Sequence, residues 1–460
     1  MTPYNPLTDH ILQQLSAVLP PTSLSTAESE RQLRSHDMSH HPARLSDVVI
    51  WPETAEQTAA ILQIANQNHI PVTPWGAGSS LEGNPIPLFG GILLSMERMN
   101  QIIILHTDDF QVTVQPGLGY KDLNASLARS GLFFAPDPGA NASIGGMLAN
   151  NAAGSRTVKY GATKDNVLAL QVALADGRLI HTGSRSIKQS AGYNLTQLFV
   201  GSEGTLGVIT EATLKLAPIP TFMSSVVANF ETVASAVETV VAIRGSGLDV
   251  AALEFLDDKS SALATREEGV PWGEKSTLLM EIHAAHPETA ELDIALIREI
   301  CEEIGAVRIW TTTDTAERKK MWETRHHLFE TMIRVFPGYK WQIMDVAVPV
   351  SAFPKLVAQA RETLQSLDLA GFMIGHAGDG NLHVNVPYKD EAAKQTALRA
   401  NDAIVERAIA LDGTATGEHG VGIGKAKFME REHGTAVTLM QALKHLLDPN
   451  NILNPGKIFV

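Results

Sequence analysis

Short apolar runs broken by glycine and proline fill the first half of the chain, and longer helical periods fill the second. Residues 47–51 read DVVIW, a β-rich run closed by Pro52. Ala59, Ile61, Leu62, Ile64 and Ala65 then recur at helical spacing, and residues 70–75 (IPVTPW) return to strand. This pattern predicts a strand–helix–strand unit that ends in a glycine-rich turn. Residues 8–35 predict a short helical lead-in. From 92 to 218 the runs GILLSM, IIILHT, QVTVQPG, ALQVALADGRLIHTG and GTLGVITEATLKLAP predict short strands, with ADGR (175–178) as a hairpin turn.

Pro218 and Pro220 mark a domain boundary. Beyond it, strand-like SSVVANF leads to a helix over 231–245 and then VAALEFL. TLLMEIHA leads to a helix over 287–304 and then AVRIWTTT. WQIMDVAVPV leads to a helix over 351–367, then FMIGHAGDG and LHVNVPY. Helices on one face of a largely antiparallel sheet fit this alternation. The expected fold class is α+β. Its parts are a helical lead-in (1–45), a strand-rich domain (46–218), an α+β domain (219–413) and a C-terminal segment (414–460) with a helix over 433–447.

Composition narrows the function. The 460 residues are 44% hydrophobic and 19% charged, which excludes a disordered chain. Lys plus Arg is 36 against 50 for Asp plus Glu, a net charge of −14, so no nucleic-acid partner is expected. Cys301 stands alone, so this chain builds no intrachain disulfide and no cysteine-ligated cluster. The N-terminal residues lack the basic and apolar regions of a secretory signal, and no apolar run is long enough to span a bilayer. The expected compartment is the cytoplasm, with peripheral membrane association open.

Glycine-rich loops carry the first chemical signal. Trp75 leads directly into Gly76, Ala77, Gly78, Ser79, Ser80, Leu81 and Gly83. Such a loop offers backbone N–H groups and hydroxyls to an anion such as phosphate, and it is equally read as a plain turn. A dinucleotide fingerprint fails because Leu81 stands at the third glycine. GVGIGK (420–425) fails as a P-loop, since His419 and Ala426 occupy the required glycine and Ser/Thr positions. A second loop runs from Pro136 through Gly139, Ser143, Gly145 and Gly146 to Asn150, Gly154 and Gly161, and a third holds Gly201, Glu203, Gly204, Gly207 and Ile209. Together they suggest a long ligand threaded between strands, its pyrophosphate on backbone N–H groups.

The motifs WGAGSSLEG, PDPGANASIGGMLANNAAGSRTVKYG, AGYNLTQLFVGSEGTLGVIT, HAGDGNLH, GEHGVG and LDPNNILNPGK together resemble the FAD enzymes of the vanillyl-alcohol oxidase type. The branch they resemble is that of D-lactate, glycolate and D-2-hydroxyglutarate dehydrogenases, and the match covers roughly residues 40–460. The resemblance implies a two-subdomain FAD-binding domain, a substrate (cap) domain and a C-terminal segment returning to the flavin domain. It implies FAD, with Trp75, Gly76, Ala77, Gly78, Ser79 and Ser80 around the diphosphate. Pro136, Gly139, Ser143, Gly145, Gly146, Asn150, Gly154, Gly161, Glu203 and Ile209 follow along the rest, and Asn454 reaches the flavin edge or simply shapes a turn. Trp75 departs from the residue that relatives often carry. No Cys or His stands in the first two loops at a place suited to a covalent link, so the FAD is expected to be non-covalent.

The second signal is HAGDGNLH. A straight strand would point His376 and His383 to opposite faces, but the Gly-Asp-Gly-Asn centre predicts a hairpin that brings the imidazoles together. Two histidines and a carboxylate make a catalytic divalent-metal set, with Glu418 of GEHG as third ligand and zinc or manganese as the metal. A chance pairing among 16 histidines is the bland alternative. His419 is assigned as the base that takes the substrate hydroxyl proton, with a role in or behind the ligand set as the alternative. Asp314 starts a helix along which Trp322, Arg325, Phe329 and Met332 form one stripe, so Arg325 interrupts an apolar face. It reads as a buried ion pair or as a clamp on a substrate carboxylate, and relatives are similar in using an arginine in this helix. Asn385 is a further hydrogen-bonding candidate.

The reaction that the resemblance implies is oxidation of a small D-2-hydroxy acid, D-lactate first, to its 2-oxo acid. Glycolate and D-2-hydroxyglutarate stay open, and Lys340 is the one suggested second cation for the diacid. The electron acceptor is unidentified. Other subunits of a glycolate-oxidising complex, or a second copy in a homodimer, are conceivable partners. A flavin-free metallohydrolase and a non-catalytic subunit are the readings from other classes.

Overall fold

Parallel and antiparallel pairing divide the strands much as the apolar runs suggest. The computed structural model describes residues 4–459. The chain divides into two compact units, one of Met1–Ala153, Ala162–Ile219 and Glu418–Val460, the other of Gly154–Gly161 and Pro220–Gly417.

In the first unit, strands Val48–Ile50 and Val72–Trp75 flank Ile92–Ser95 in parallel. Leu24–Ser25 adds an antiparallel edge on Val49 and Ile50, so the lead-in is not purely helical. Its helices are Asp9–Ala17 and Glu28–Leu33. A five-stranded antiparallel sheet runs in the order Ile102–His106, Gln111–Val114, Val208–Lys215, Val167–Ala173, Leu179–Gly183. The ADGR turn closes its last hairpin, with Leu174 N–H on the Arg178 carbonyl at 2.9 Å. Helix Ala55–Gln67 is capped by the Thr54 hydroxyl, and its Ile61 and Leu62 share one core with Val48, Val72, Leu94, Ala173 and Val208. The second core joins Val112, Val172 and Leu214 to helices Tyr120–Leu127 and Ile144–Asn150.

The second unit is built on a seven-stranded sheet in which every recorded pairing is antiparallel. Its long helices are Val233–Gly245, Pro287–Glu303, Phe353–Ser366 and Glu391–Ile409. Phe353 stacks edge-on against Phe255 at 6.2 Å. The opposite face carries Val227, Leu256, Leu279, Phe372 and Ile374, and it packs on Leu263, Trp322 and Met332 from helices Asp258–Glu268, Thr315–His326 and Leu328–Val335. Helices therefore cover both faces, not one. The apolar pattern does not announce Asp258–Glu268, whose sequence is mostly polar.

The predicted single helix through Arg325 and Met332 is two helices. His327 adopts φ −99°, ψ 16° between them, and its amide and ring Nδ1 both meet the Glu323 carbonyl at 2.9 Å. Trp322 and Met332 still share one apolar cluster. Among the described residues no helix is long and apolar enough to cross a membrane.

Candidate active site

The first unit holds a cavity lined by all three glycine-rich loops. The first loop leaves strand Val72–Trp75, the second enters helix Ile144–Asn150 behind the N-cap Ser143, and the third enters strand Val208–Lys215. Trp75, Gly76, Ala77, Gly78, Ser79, Ser80, Ser143, Gly145, Gly146, Asn150, Glu203, Ile209 and Asn454 all border it. Pro136, Gly139, Gly154 and Gly161 do not, and Pro138 and Ala140 line that stretch instead. Gly154 and Gly161 bound the short segment that belongs to the second unit.

Several of these glycines serve the protein rather than a ligand. A Cβ on Gly76 would lie 2.3 Å from the Ser143 hydroxyl, and one on Gly78, at φ +68°, would lie 2.4 Å from the Trp75 ring. Trp75 is thus the buried brace under the first loop. With the loop held this way, the amides of Ala77, Gly78, Ser79 and Ser80 have no acceptor among the described residues. A row of unsatisfied N–H groups on a cavity wall is the donor set a diphosphate requires. The residues present fit an FAD.

Residues after Glu418 return to this cavity and are tied down by Glu203. Its carboxylate accepts from the Val421 amide at 2.6 Å, the Gly422 amide at 2.9 Å and Asn84 Nδ2 at 2.6 Å. Asn150 Nδ2 donates to the His419 carbonyl at 3.2 Å. Asn454 Nδ2 donates to the carbonyls of Asn84 and Glu203, at 3.0 and 2.7 Å, so its amide binds segments together. Glu203 is buried; burial pushes its pKa up against the pull of the amides and Asn84. Burial likewise pulls Lys457 down to about 8, against the charges of Glu203 and Asp37. Glu203, Asn150 and Asn454 therefore fix where Glu418 and His419 stand on the cavity wall.

In the second unit the predicted turn forms. Strand Phe372–Gly375 ends at His376, a short helical turn spans Ala377–Asp379, Gly380 takes φ +72°, and strand Asn381–Tyr388 runs back. The rings of His376 and His383 meet edge-on, with centroids 5.3 Å apart. Ile374 pairs with His383 and Phe372 with Asn385, so Asn385 shares the face of His383. Two buried carboxylates, missed in the sequence, stand behind the imidazoles. Glu254 accepts from His376 Nδ1 at 2.7 Å, and Asp345 lies 3.6 Å from His383 Nδ1. Asp345 also accepts from Asn381 Nδ2, the Thr416 hydroxyl and the Gly417 amide, at 2.7, 2.8 and 2.8 Å. This fixes the chain one residue before Glu418. Paired imidazoles with carboxylates behind them suit a divalent cation.

Arg325 has an internal partner, the ion-pair alternative of the sequence reading: its Nη2 lies 2.5 Å from Glu254 Oε2. Burial alone would raise the Glu254 pKa, but Arg325 and then His376 outweigh it and hold it at about 2. On the same sheet face Glu281 is held at about 2, where burial is overcome by the hydrogen bond from His283 and the charges of Arg156 and Arg318. Lys340 is exposed at the start of its strand. The signal that could have found Glu254 and Asp345 was a carboxylate among apolar neighbours within a strand, Glu254 in ALEFL and Asp345 between Met344 and Val346.

Comparison with known proteins bears on the flavin part of this chemistry. Residues 46–183 match the family model "FAD binding domain", and residues 219–458 match "FAD linked oxidases, C-terminal domain". A Danio rerio protein named "Probable D-lactate dehydrogenase, mitochondrial" is 38% identical over 98% of this chain and 92% of its own. The mitochondrial D-lactate dehydrogenase [cytochrome] of Arabidopsis thaliana is 36% identical over 99% of this chain and 81% of its own. The glycolate oxidase subunit GlcD of Bacillus subtilis is 36% identical over 98% and 97%. Among solved structures, 4-ethylphenol oxidase from Gulosibacter chungangensis superposes with a TM-score of 0.79 at 19% identity, covering 98% of this chain and 97% of its own, a likeness of fold. The chain belongs to the FAD-linked oxidases with the vanillyl-alcohol oxidase type of fold, in the family of D-lactate and glycolate dehydrogenases, and is a flavoprotein oxidoreductase.

Proposed function

We propose that the protein oxidises a small D-2-hydroxy acid, D-lactate first, to the 2-oxo acid, with FAD held non-covalently and a divalent cation, zinc or manganese, held by His376, His383 and Glu418. The observation that carries this reading is the facing pair His376 and His383, together with the tether of Gly417 to Asp345 that immediately precedes Glu418 and His419. When bound, the flavin is the acceptor for the Cα hydride and the cation lowers the pKa of the substrate hydroxyl. His419 accepts the hydroxyl proton. Arg325 binds the substrate carboxylate while Glu254 pairs with its Nη2, and Asn385 donates a hydrogen bond to the substrate.

The names of the Danio rerio and Arabidopsis thaliana relatives favour D-lactate, and that of GlcD favours glycolate as the second choice. D-2-Hydroxyglutarate ranks third, because its second carboxylate would need Lys340, which is exposed at its strand end. Electrons leave the reduced flavin for a separate acceptor, on a partner subunit or a diffusible carrier. The cytoplasm is the compartment proposed, with peripheral association at a membrane left open. Anaerobic addition of D-lactate, L-lactate, glycolate and D-2-hydroxyglutarate, with metal analysis of the same sample, tests the reading. D-Lactate should bleach the flavin fastest; bleaching by none of the four, or by L-lactate alone, would refute it.

A further inference from the structure

We propose that Glu254 is a positioning residue that joins the cation ligand His376 to the carboxylate-binding Arg325 through the two oxygens of one buried carboxylate. The proposal rests on the reading of His376 as a cation ligand given above.

Glu254 sits on strand Ala252–Leu256 among Leu253, Phe255 and Leu256, and it is fully buried. The pairing of Phe255 with Gly375 brings it beside His376. A buried ion pair adds little stability over an apolar pair of similar volume. A carboxylate in this strand therefore calls for a role beyond packing. Its oxygens are divided: Oε1 accepts from His376 Nδ1 at 2.7 Å, and Oε2 pairs with Arg325 Nη2 at 2.5 Å.

This division has consequences for both partners. With Nδ1 engaged by the carboxylate at 2.7 Å, Nε2 is the atom left for His376 to meet a cation. The hydrogen bond also fixes the ring plane and makes the imidazole a stronger donor. Arg325 is held from a second direction as well. Arg318 lies seven residues earlier on helix Thr315–His326, and its Nη1 lies 3.2 Å from Glu281 Oε1. Glu254 and Glu281 share one face of adjacent strands, so the helix is pinned to the sheet at points two turns apart. Glu254 thereby sets the place of the guanidinium and the orientation of the imidazole together.

Equilibrium dialysis of the metal-stripped flavoprotein against Zn²⁺ and Mn²⁺ tests the coupling. Glu254→Gln should keep its flavin spectrum and far-UV circular dichroism but bind the cation about 10–100-fold more weakly. Equal affinity in Glu254→Gln and the parent overturns this inference and leaves the proposed reaction standing. Failure of the parent to bind either cation defeats that reading and this inference together. A second measurement needs no variant: the imidazole ¹⁵N shifts of His376 in the metal-free parent should report a protonated Nδ1. A proton on Nε2 alone would overturn the inference whatever the dialysis shows.

Discussion

Two buried glutamates, one in each unit, do similar mechanical work by opposite electrostatic means. Glu203 holds the turn after His419 with neutral donors, the amides of Val421 and Gly422 and the side-chain amide of Asn84. Glu254 holds His376 and Arg325 through an imidazole and a guanidinium. Burial dominates the first and raises its pKa; charged partners dominate the second and hold it at about 2. The first unit presents backbone N–H groups to an anionic dinucleotide, and the same kind of neutral donor makes the direct hydrogen bonds to Glu203, with the charge of Lys457 acting on it as well. The second unit is built to hold cationic side chains in place, and only a charged partner can anchor them without leaving a buried charge unpaired.

The sharpest way to break this division is to remove the proposed base. His419→Ala should leave the Glu203 clamp, which grips Val421 and Gly422, and so leave flavin content unchanged. Single-turnover flavin reduction should fall by about 10²–10⁴-fold. Near-normal reduction would mean that the Glu203-held turn serves only to shape the cavity.

Next in size is a stability contrast. Glu254→Leu strands Arg325 and should cost about 3–5 kcal/mol in urea unfolding followed by tryptophan fluorescence. Adding Arg325→Met should recover most of that loss, because the whole pair then becomes apolar. Glu203→Leu strands backbone amides and Asn84 and should cost about 1–3 kcal/mol for each group left unmet. No side-chain change can replace an amide, so it has no rescuing partner among Val421 and Gly422. A double variant no more stable than Glu254→Leu alone would remove the distinction between the two glutamates.

The sequence made the local features legible and the distant pairings illegible. The turn inside HAGDGNLH could be read because glycine and asparagine specify it within eight residues, and it does bring His376 against His383. The three loops could be read as one ligand site because each concentrates glycine and serine within one strand-rich domain. Glu254 and Asp345 escaped notice because what matters about them is a partner far along the chain, His376 for one and Gly417 for the other. The break at His327 was hidden for a related reason. Trp322 and Met332 keep a helical spacing across it because both pack into one core, whether or not the backbone hydrogen bonds run through.

The smallest expected effect separates the two glutamates by acid. Glu254 and Glu281, at about 2 when folded against an ordinary 4.5, bind fewer protons folded than unfolded across that interval. Their stabilisation is complete above pH 4.5 and is lost as pH falls toward 2; at pH 4 the loss is roughly 1 kcal/mol for each. Glu203 has the opposite sign: with its folded pKa raised, its contribution is complete below pH 4.5 and is lost as pH rises through the folded value. Four of the six tryptophans, Trp272, Trp310, Trp322 and Trp341, lie in the second unit and carry most of the fluorescence change, whereas Trp51, Trp75 and the flavin cavity lie in the first. Thermal unfolding at pH 7 and pH 4 should therefore show the tryptophan transition falling further than flavin release. Equal shifts of the two signals would show that carboxylate pairing does not set the acid response of either unit.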